Sequence, residues 1–166
     1  MKNLSSHDGL HDALTGALTL AAFYEAVARE ISRANRDHME LHLLLLNLPL
    51  TENDESSTLH KKPVQQEQLL VELVELVHEL QFSLRDNDLI SRTGLSELSI
   101  VFSGNAEDLV KRLLNIVNRF SVTVAIVKFQ AGWKLPQFLS EGDIALQIAI
   151  RGKDLEQPGS HKGGFI

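Results

Sequence analysis

Apolar positions fall into two kinds of period along this chain, and the alternation between them outlines a mixed fold. From about Leu18 to Arg36, Leu18, Ala22, Ala26 and Val27 recur at helical spacing, with Phe23 and Ile31 widening the stripe. Glu40–Leu48, ELHLLLLNL, is nearly continuous apolar sequence and predicts a central strand buried on both faces. Gln65–Leu84 predicts the strongest helix. Leu69, Leu73, Leu76, Val77 and Leu80 make one face, while Glu67, Glu72, Glu75 and Glu79 make a solvated one. Two short β-like runs follow, Leu89–Arg92 and Glu97–Phe102, joined by the polar turn Thr93-Gly94-Leu95-Ser96. Gly94 is expected there to take a positive φ or to let another backbone approach closely. Asn105–Arg119 predicts an amphipathic helix, Ser121–Phe129 a strand rich in β-branched residues, and Leu135–Arg151 a last helix. Helix, strand, helix, hairpin, helix, strand, helix is the order of an α+β domain: a mostly antiparallel central sheet with helices packed on it, as in a ferredoxin-like core.

Composition narrows the function more than the fold. One domain accounts for 166 residues, with the folded unit expected over 8–152 and flexible termini at 1–7 and 153–166. A net charge of −6 argues against a nucleic-acid or anionic-membrane binder, since both need a basic face. No cysteine is present, which fits a reducing cytoplasm and excludes thiolate chemistry. The N-terminal MKNLSSHDGLHD has no apolar signal region, and no apolar run is long enough to span a bilayer. His7 and His11 read as part of a loose, solvated lead-in over residues 1–11, because no third ligand stands at metal-binding spacing.

Four segments, in order, resemble the landmarks of GGDEF domains, the diguanylate cyclases that condense two GTP into cyclic di-GMP. Asp12, Leu14, Thr15, Gly16 and Phe23 match the family's opening Asp-x-Leu-Thr-Gly segment, although its Asn-Arg-Arg is Thr19-Leu20-Ala21 here. The end of the first strand, where the family has Asp-x-Asp, reads Asn47-Leu48-Pro49. The signature hairpin Gly-Gly-Asp/Glu-Glu-Phe is matched by Gly94-Leu95-Ser96-Glu97-Leu98 after Arg92-Thr93. The closing Ala-Asp-x-Ala-Leu-Tyr-x-Ala-Lys is matched at Asp143, Ala145, Leu146 and Ala149, with Ile150 at the lysine position. Asn53-Asp54 and His60, in the polar stretch Thr51–Pro63, are faint echoes of the guanine-recognition segment and carry no function over.

The resemblance implies a nucleotidyl-cyclase fold over roughly residues 8 to 152. It implies equally that the chemistry has gone. Asn47, Ser96 and Ile150 replace two magnesium-binding acids and a phosphate-facing cation, and only Glu97 keeps its charge, so no catalysis, metal or cofactor is expected. Arg85 and Asp88 form an Arg-x-x-Asp pair at the offset of the family's inhibitory product site, which implies a cyclic di-GMP site, with Arg112 as a further arginine and Lys111 and Arg119 as weaker ones. A guanidinium suits phosphate or the O6/N7 edge of guanine, and a carboxylate accepts from guanine's N–H groups. The same pair could equally be structural, a base steadying a helix end and an acid closing a turn. Two functions lead: a receptor for cyclic di-GMP, or a ligand-free dimerisation or docking module; GTP binding without turnover stays open behind them, and an active cyclase ranks last. The chain lacks the sensor domain that usually accompanies a GGDEF module, so a protein partner, or a longer parent chain, is expected to supply the input.

Overall fold

The computed structural model describes residues 8–49 and 62–156. Its elements are α1 (Leu20–Asp37), β1 (Leu41–Asn47), α2 (Lys62–Ser83), β2 (Leu89–Arg92), β3 (Glu97–Ser103), α3 (Ala106–Phe120), β4 (Thr123–Lys128) and α4 (Leu135–Glu156). The four strands form one sheet in the order β2-β3-β1-β4, antiparallel throughout. Behind the first helix, β1 to β4 follow the β-α-β-β-α-β path of a ferredoxin-like core.

Strand β1 is central because its sequence is apolar on both faces. Leu44, Leu46 and Leu48 join Leu98, Ile100 and Phe102 of β3 beneath α2 and α3, in a core that takes in Leu73, Leu76 and Leu80. Leu41, Leu43 and Leu45 point the other way and pack with Val101, Phe23, Val27, Phe138 and Leu146 beneath α1 and α4. Each fully buried leucine contributes about 2 kcal/mol of apolar transfer. The two cores fix the register, since a one-residue slip would exchange them.

Gly142 lets α4 lie directly on β1. A Cβ there would stand 2.6 Å from Leu43 Cδ2 and 2.7 Å from Leu45 Cδ1. Helix starts are capped as their sequences suggest. Thr19 accepts from the Ala22 N–H at the start of α1, and Asn105 accepts from the Glu107 N–H at 2.7 Å for α3, whose first turn adds Glu107 and Asp108.

Some sequence expectations need correcting. Residues 8–11 are not a loose lead-in. Asp8 Oδ1 accepts from the Leu10 and His11 N–H groups, and His11 bridges to Leu18. Helix α2 begins at Lys62, so Lys62 and Pro63 belong to it and not to the polar stretch before it, as proline's tolerance in a first helical turn allows. Helix α4 runs through Glu156, which makes residues 153–156 helical and not part of a flexible tail. The expectations for residues 1–7 and 157–166, and for Asn53, Asp54 and His60, lie outside the described residues.

Candidate functional site

The opening motif makes a locked turn. Asp12 Oδ2 accepts from the Thr15 N–H at 3.0 Å and from its hydroxyl at 2.7 Å. Gly16 closes the turn with φ +72°, a conformation that disfavours any residue with a Cβ. The chain then lies along the outer edge of β2. The Leu18 N–H donates to Ile90 O at 2.9 Å, and the Ser91 hydroxyl donates to Leu18 O at 2.9 Å.

That docking builds one wall of a cavity of about 300 Å³. His11, Gly16, Ala17 and Leu18 of that segment line it together with Arg85, Asp86 and Asp88 and with the apolar Leu84, Leu89 and Ile90. Sequence reasoning paired Arg85 with Asp88, and both line this cavity. Asp88 Oδ2 accepts from the Arg85 backbone N–H at 2.8 Å and the Asp88 N–H donates to Arg85 O at 3.0 Å, so the carboxylate closes the turn. Among the described residues no partner is recorded for the Arg85 guanidinium or for Asp88 Oδ1.

Arg112 stands elsewhere. Its Nη1 donates to Ser83 O at 2.7 Å, satisfying a carbonyl at the C-terminus of α2, and it does not line the cavity. Arg119 pairs with Glu79 at 2.7 Å and stacks over Phe120. Lys111 is exposed on α3 and is absent from the cavity wall. His11, set aside in the sequence as lead-in, belongs to the wall. Its Nδ1 lies 2.7 Å from Asp8 Oδ2, and this hydrogen bond, with those from the His11 and Leu10 N–H groups, lowers the Asp8 carboxyl to about 2. The signal was present in the spacing of Asp8 and His11, but nothing in the sequence told that the turn folds back on β2.

The signature hairpin sits at the other end of the sheet. Asn47 and Glu97 face each other in the β1–β3 ladder. Asn47 Nδ2 donates to Ser96 Oγ at 3.2 Å, and the Leu48 N–H donates to Ser96 O at 2.8 Å. Gly94 does not have a positive φ, contrary to expectation; it is the side chain of Glu97 that comes close, and a Cβ on Gly94 would meet Glu97 Oε2 at 3.1 Å. Arg92 folds its guanidinium onto the turn, donating to Gly94 O at 3.1 Å and Leu95 O at 3.3 Å. Leu95 is exposed at the tip, while Leu98 is buried in the sheet core. Ile150 packs against the α1–α4 core, so its side chain is hydrophobic filling where the resemblance would place a cation.

A hard dication takes six or more oxygen ligands, with charge supplied by carboxylates. An amide and a hydroxyl already bonded to each other, beside one carboxylate, do not fit magnesium. Among the described residues no group of three or more His, Cys, Asp or Glu stands close enough to hold a metal. Glu97 instead lines a second cavity, of about 350 Å³, with Tyr24, Thr93, Ser99, Asp143 and Gln147. The Thr93 and Ser99 hydroxyls meet there at 3.1 Å.

No family model matches the sequence, and no curated protein matches it. The fold does have solved counterparts. The GGDEF domain of DgcB from Caulobacter crescentus, solved in complex with cyclic di-GMP, superposes with a TM-score of 0.76 at 16% identity, over 89% of this chain and 94% of that one. A microbial GGDEF domain described for a novel interaction mode with cyclic di-GMP gives 0.71 at 20% identity, over 86% and 91%. The diguanylate cyclase SiaD from Pseudomonas aeruginosa, solved with its activator SiaC, gives 0.73 at 21% identity, over 86% of this chain and 58% of that one. The architecture is therefore the GGDEF, cyclase-like fold: an α+β domain with a four-stranded antiparallel sheet. No described helix is long and apolar enough to cross a membrane.

Proposed function

We propose that this GGDEF-like domain makes no cyclic di-GMP and acts in bacterial, cytoplasmic cyclic di-GMP signalling as a receptor, with residues 8–152 as the working unit. The observation that carries the first half is the neutral Asn47–Ser96 pair. Condensing two GTP requires magnesium and charge neutralisation at the phosphates. Here the positions that would supply them hold an amide, a hydroxyl and, at Ile150, a partly buried hydrocarbon. Losing one such electrostatic contact costs about two to three orders of magnitude in rate, and several are lost together.

Arg85 and Asp88 support the second half. Among the described residues the Arg85 guanidinium and Asp88 Oδ1 make no hydrogen bond, and both residues line one solvent-open cavity. Cyclic di-GMP presents phosphates to the first and guanine N–H groups to the second. Two solved counterparts, the DgcB domain and the microbial GGDEF domain, are described with that ligand. Arg112 would join only by giving up its bond to Ser83 O. A second reading, a ligand-free docking or dimerisation module, draws on the use of Asp88 to close its own turn and on SiaD, which is solved with a protein partner.

Calorimetric titration of cyclic di-GMP separates the two readings. Saturable heat in the wild type that vanishes in Arg85→Ala supports the receptor; no heat at high ligand concentration leaves the docking module. Product formed from GTP and Mg²⁺ at an ordinary turnover rate would overturn the first half.

A further inference from the structure

We propose that His11 is a second ligand-binding group of the Arg85 cavity, held in place by Asp8 and brought to the cavity by a segment distant in sequence from Arg85. This deepens the receptor reading and rests on it.

The cavity is bipartite. Residues 84–90 supply only part of its lining, and another part comes from the turn that precedes α1. That turn is fixed. Asp12 locks it, Gly16 reverses it, and the Leu18 contacts stitch it to β2. Gln81 at the end of α2 donates to Gly16 O at 3.4 Å. A residue on this wall therefore stands at a defined place relative to Arg85.

His11 is also oriented. With Nδ1 bonded to Asp8 Oδ2, its Nε2 is the nitrogen left to serve a ligand. A carboxylate bonded to one imidazole nitrogen fixes the ring's position and leaves the other nitrogen to meet a ligand. The charged groups around His11 are Asp8 and Asp12 on its own segment and Arg85, Asp86 and Asp88 elsewhere on the cavity lining. Asp8 and Asp12 are engaged within the turn, and Asp88 Oδ2 is engaged by the Arg85 N–H. Nitrogen groups from two segments beside the apolar Leu84, Leu89 and Ile90 in one cavity suit a phosphodiester-linked purine: phosphate toward Arg85 and His11, base against the apolar side chains.

The test is calorimetric titration of cyclic di-GMP into the full chain, comparing wild type with Arg85→Ala, His11→Ala, His11→Lys and Asp8→Asn. We expect His11→Ala to weaken binding roughly ten- to hundredfold, the range of a charge-assisted hydrogen bond, and His11→Lys to recover most of that loss. Asp8→Asn keeps the Oδ1 acceptor of the turn but loses the charge, and should weaken binding about tenfold with an unchanged melting temperature. Should wild type bind and Arg85→Ala fail while both His11→Ala and Asp8→Asn bind as wild type does, the role of His11 is overturned and the receptor reading stands. If His11→Lys binds as weakly as His11→Ala, its role as a hydrogen-bond donor to the ligand is overturned. Wild type that binds nothing removes the receptor reading, and this inference with it.

Discussion

Asn47 and Ser96 hydrogen-bond to each other, Nδ2 to Oγ at 3.2 Å, where the resemblance would have two carboxylates share a metal. Mutual satisfaction replaces charge held by a cation, and the hairpin stays attached to β1 without any ion. Replacing both by aspartate sets two charges beside Glu97, which faces Asn47 in the ladder. Asn47→Asp with Ser96→Asp should therefore lose about 1–3 kcal/mol in chelator. Millimolar Mg²⁺ should raise the melting temperature of that variant and leave wild type unmoved. A wild-type melting temperature that climbs with Mg²⁺ would contradict this account of the pair.

Gly142 tests the packing of α4 on β1. Alanine gains about 1 kcal/mol of helix propensity. Its methyl would nevertheless fall within 3 Å of Leu43 and Leu45, both buried. Overpacking of this kind costs about 1–3 kcal/mol, so Gly142→Ala should be destabilised by about 1 kcal/mol and Gly142→Val by more. Urea unfolding midpoints check the order.

His42 gives the fold a pH dependence. It is 5% exposed, stacks on Phe102 with ring centroids 5.2 Å apart, and among the described residues its Nδ1 has no hydrogen-bond partner. Burial pushes its imidazole below the ordinary 6.5; Lys128 adds to this and Glu40 opposes it. A lowered folded value means the native state prefers the neutral ring. Its stabilisation is complete above 6.5 and is lost as pH falls toward and through the lowered folded value. His42→Phe keeps the ring stack and should flatten the stability profile between about pH 7 and 5. An unchanged slope in chemical denaturation across that range would refute the assignment.

Asp12 holds the turn that carries His11. Removing its carboxylate in Asp12→Ala frees the Thr15 N–H and hydroxyl, at a cost of about 1–2 kcal/mol. Amide exchange at Thr15 and Leu18 should quicken in this variant more than exchange in β1. Equal protection at those amides would show that the turn is held by other means.

Most of the fold could be read from the sequence because burial here follows period. Leu69, Leu73, Leu76, Val77 and Leu80 face the core as their spacing foretold, and the unbroken leucines of β1 proved central. Boundaries were harder. Pro63 and Gly152 look like breakers, yet they sit in the first turn of α2 and toward the end of α4, where such residues cost little. Arg85 and Asp88 were legible as a pair because they are neighbours in sequence. His11 was not, because its relation to Arg85 depends on a contact between segments more than seventy residues apart, and no local pattern encodes that. Arg112 misled for the complementary reason: a cation on the right helix was drawn to the bare carbonyl of Ser83, a partner invisible to spacing.

The seam between Leu18 and β2 bears on when the Arg85 cavity comes into being. Its two hydrogen bonds join the beginning of the chain to a hairpin made much later in synthesis, and such distant pairings are among the slowest to form. A nascent chain ending before β2 would own one wall and nothing to oppose it. Competence to take a ligand would then arrive only once the hairpin had closed, and a molecule seated there would report that folding had been completed.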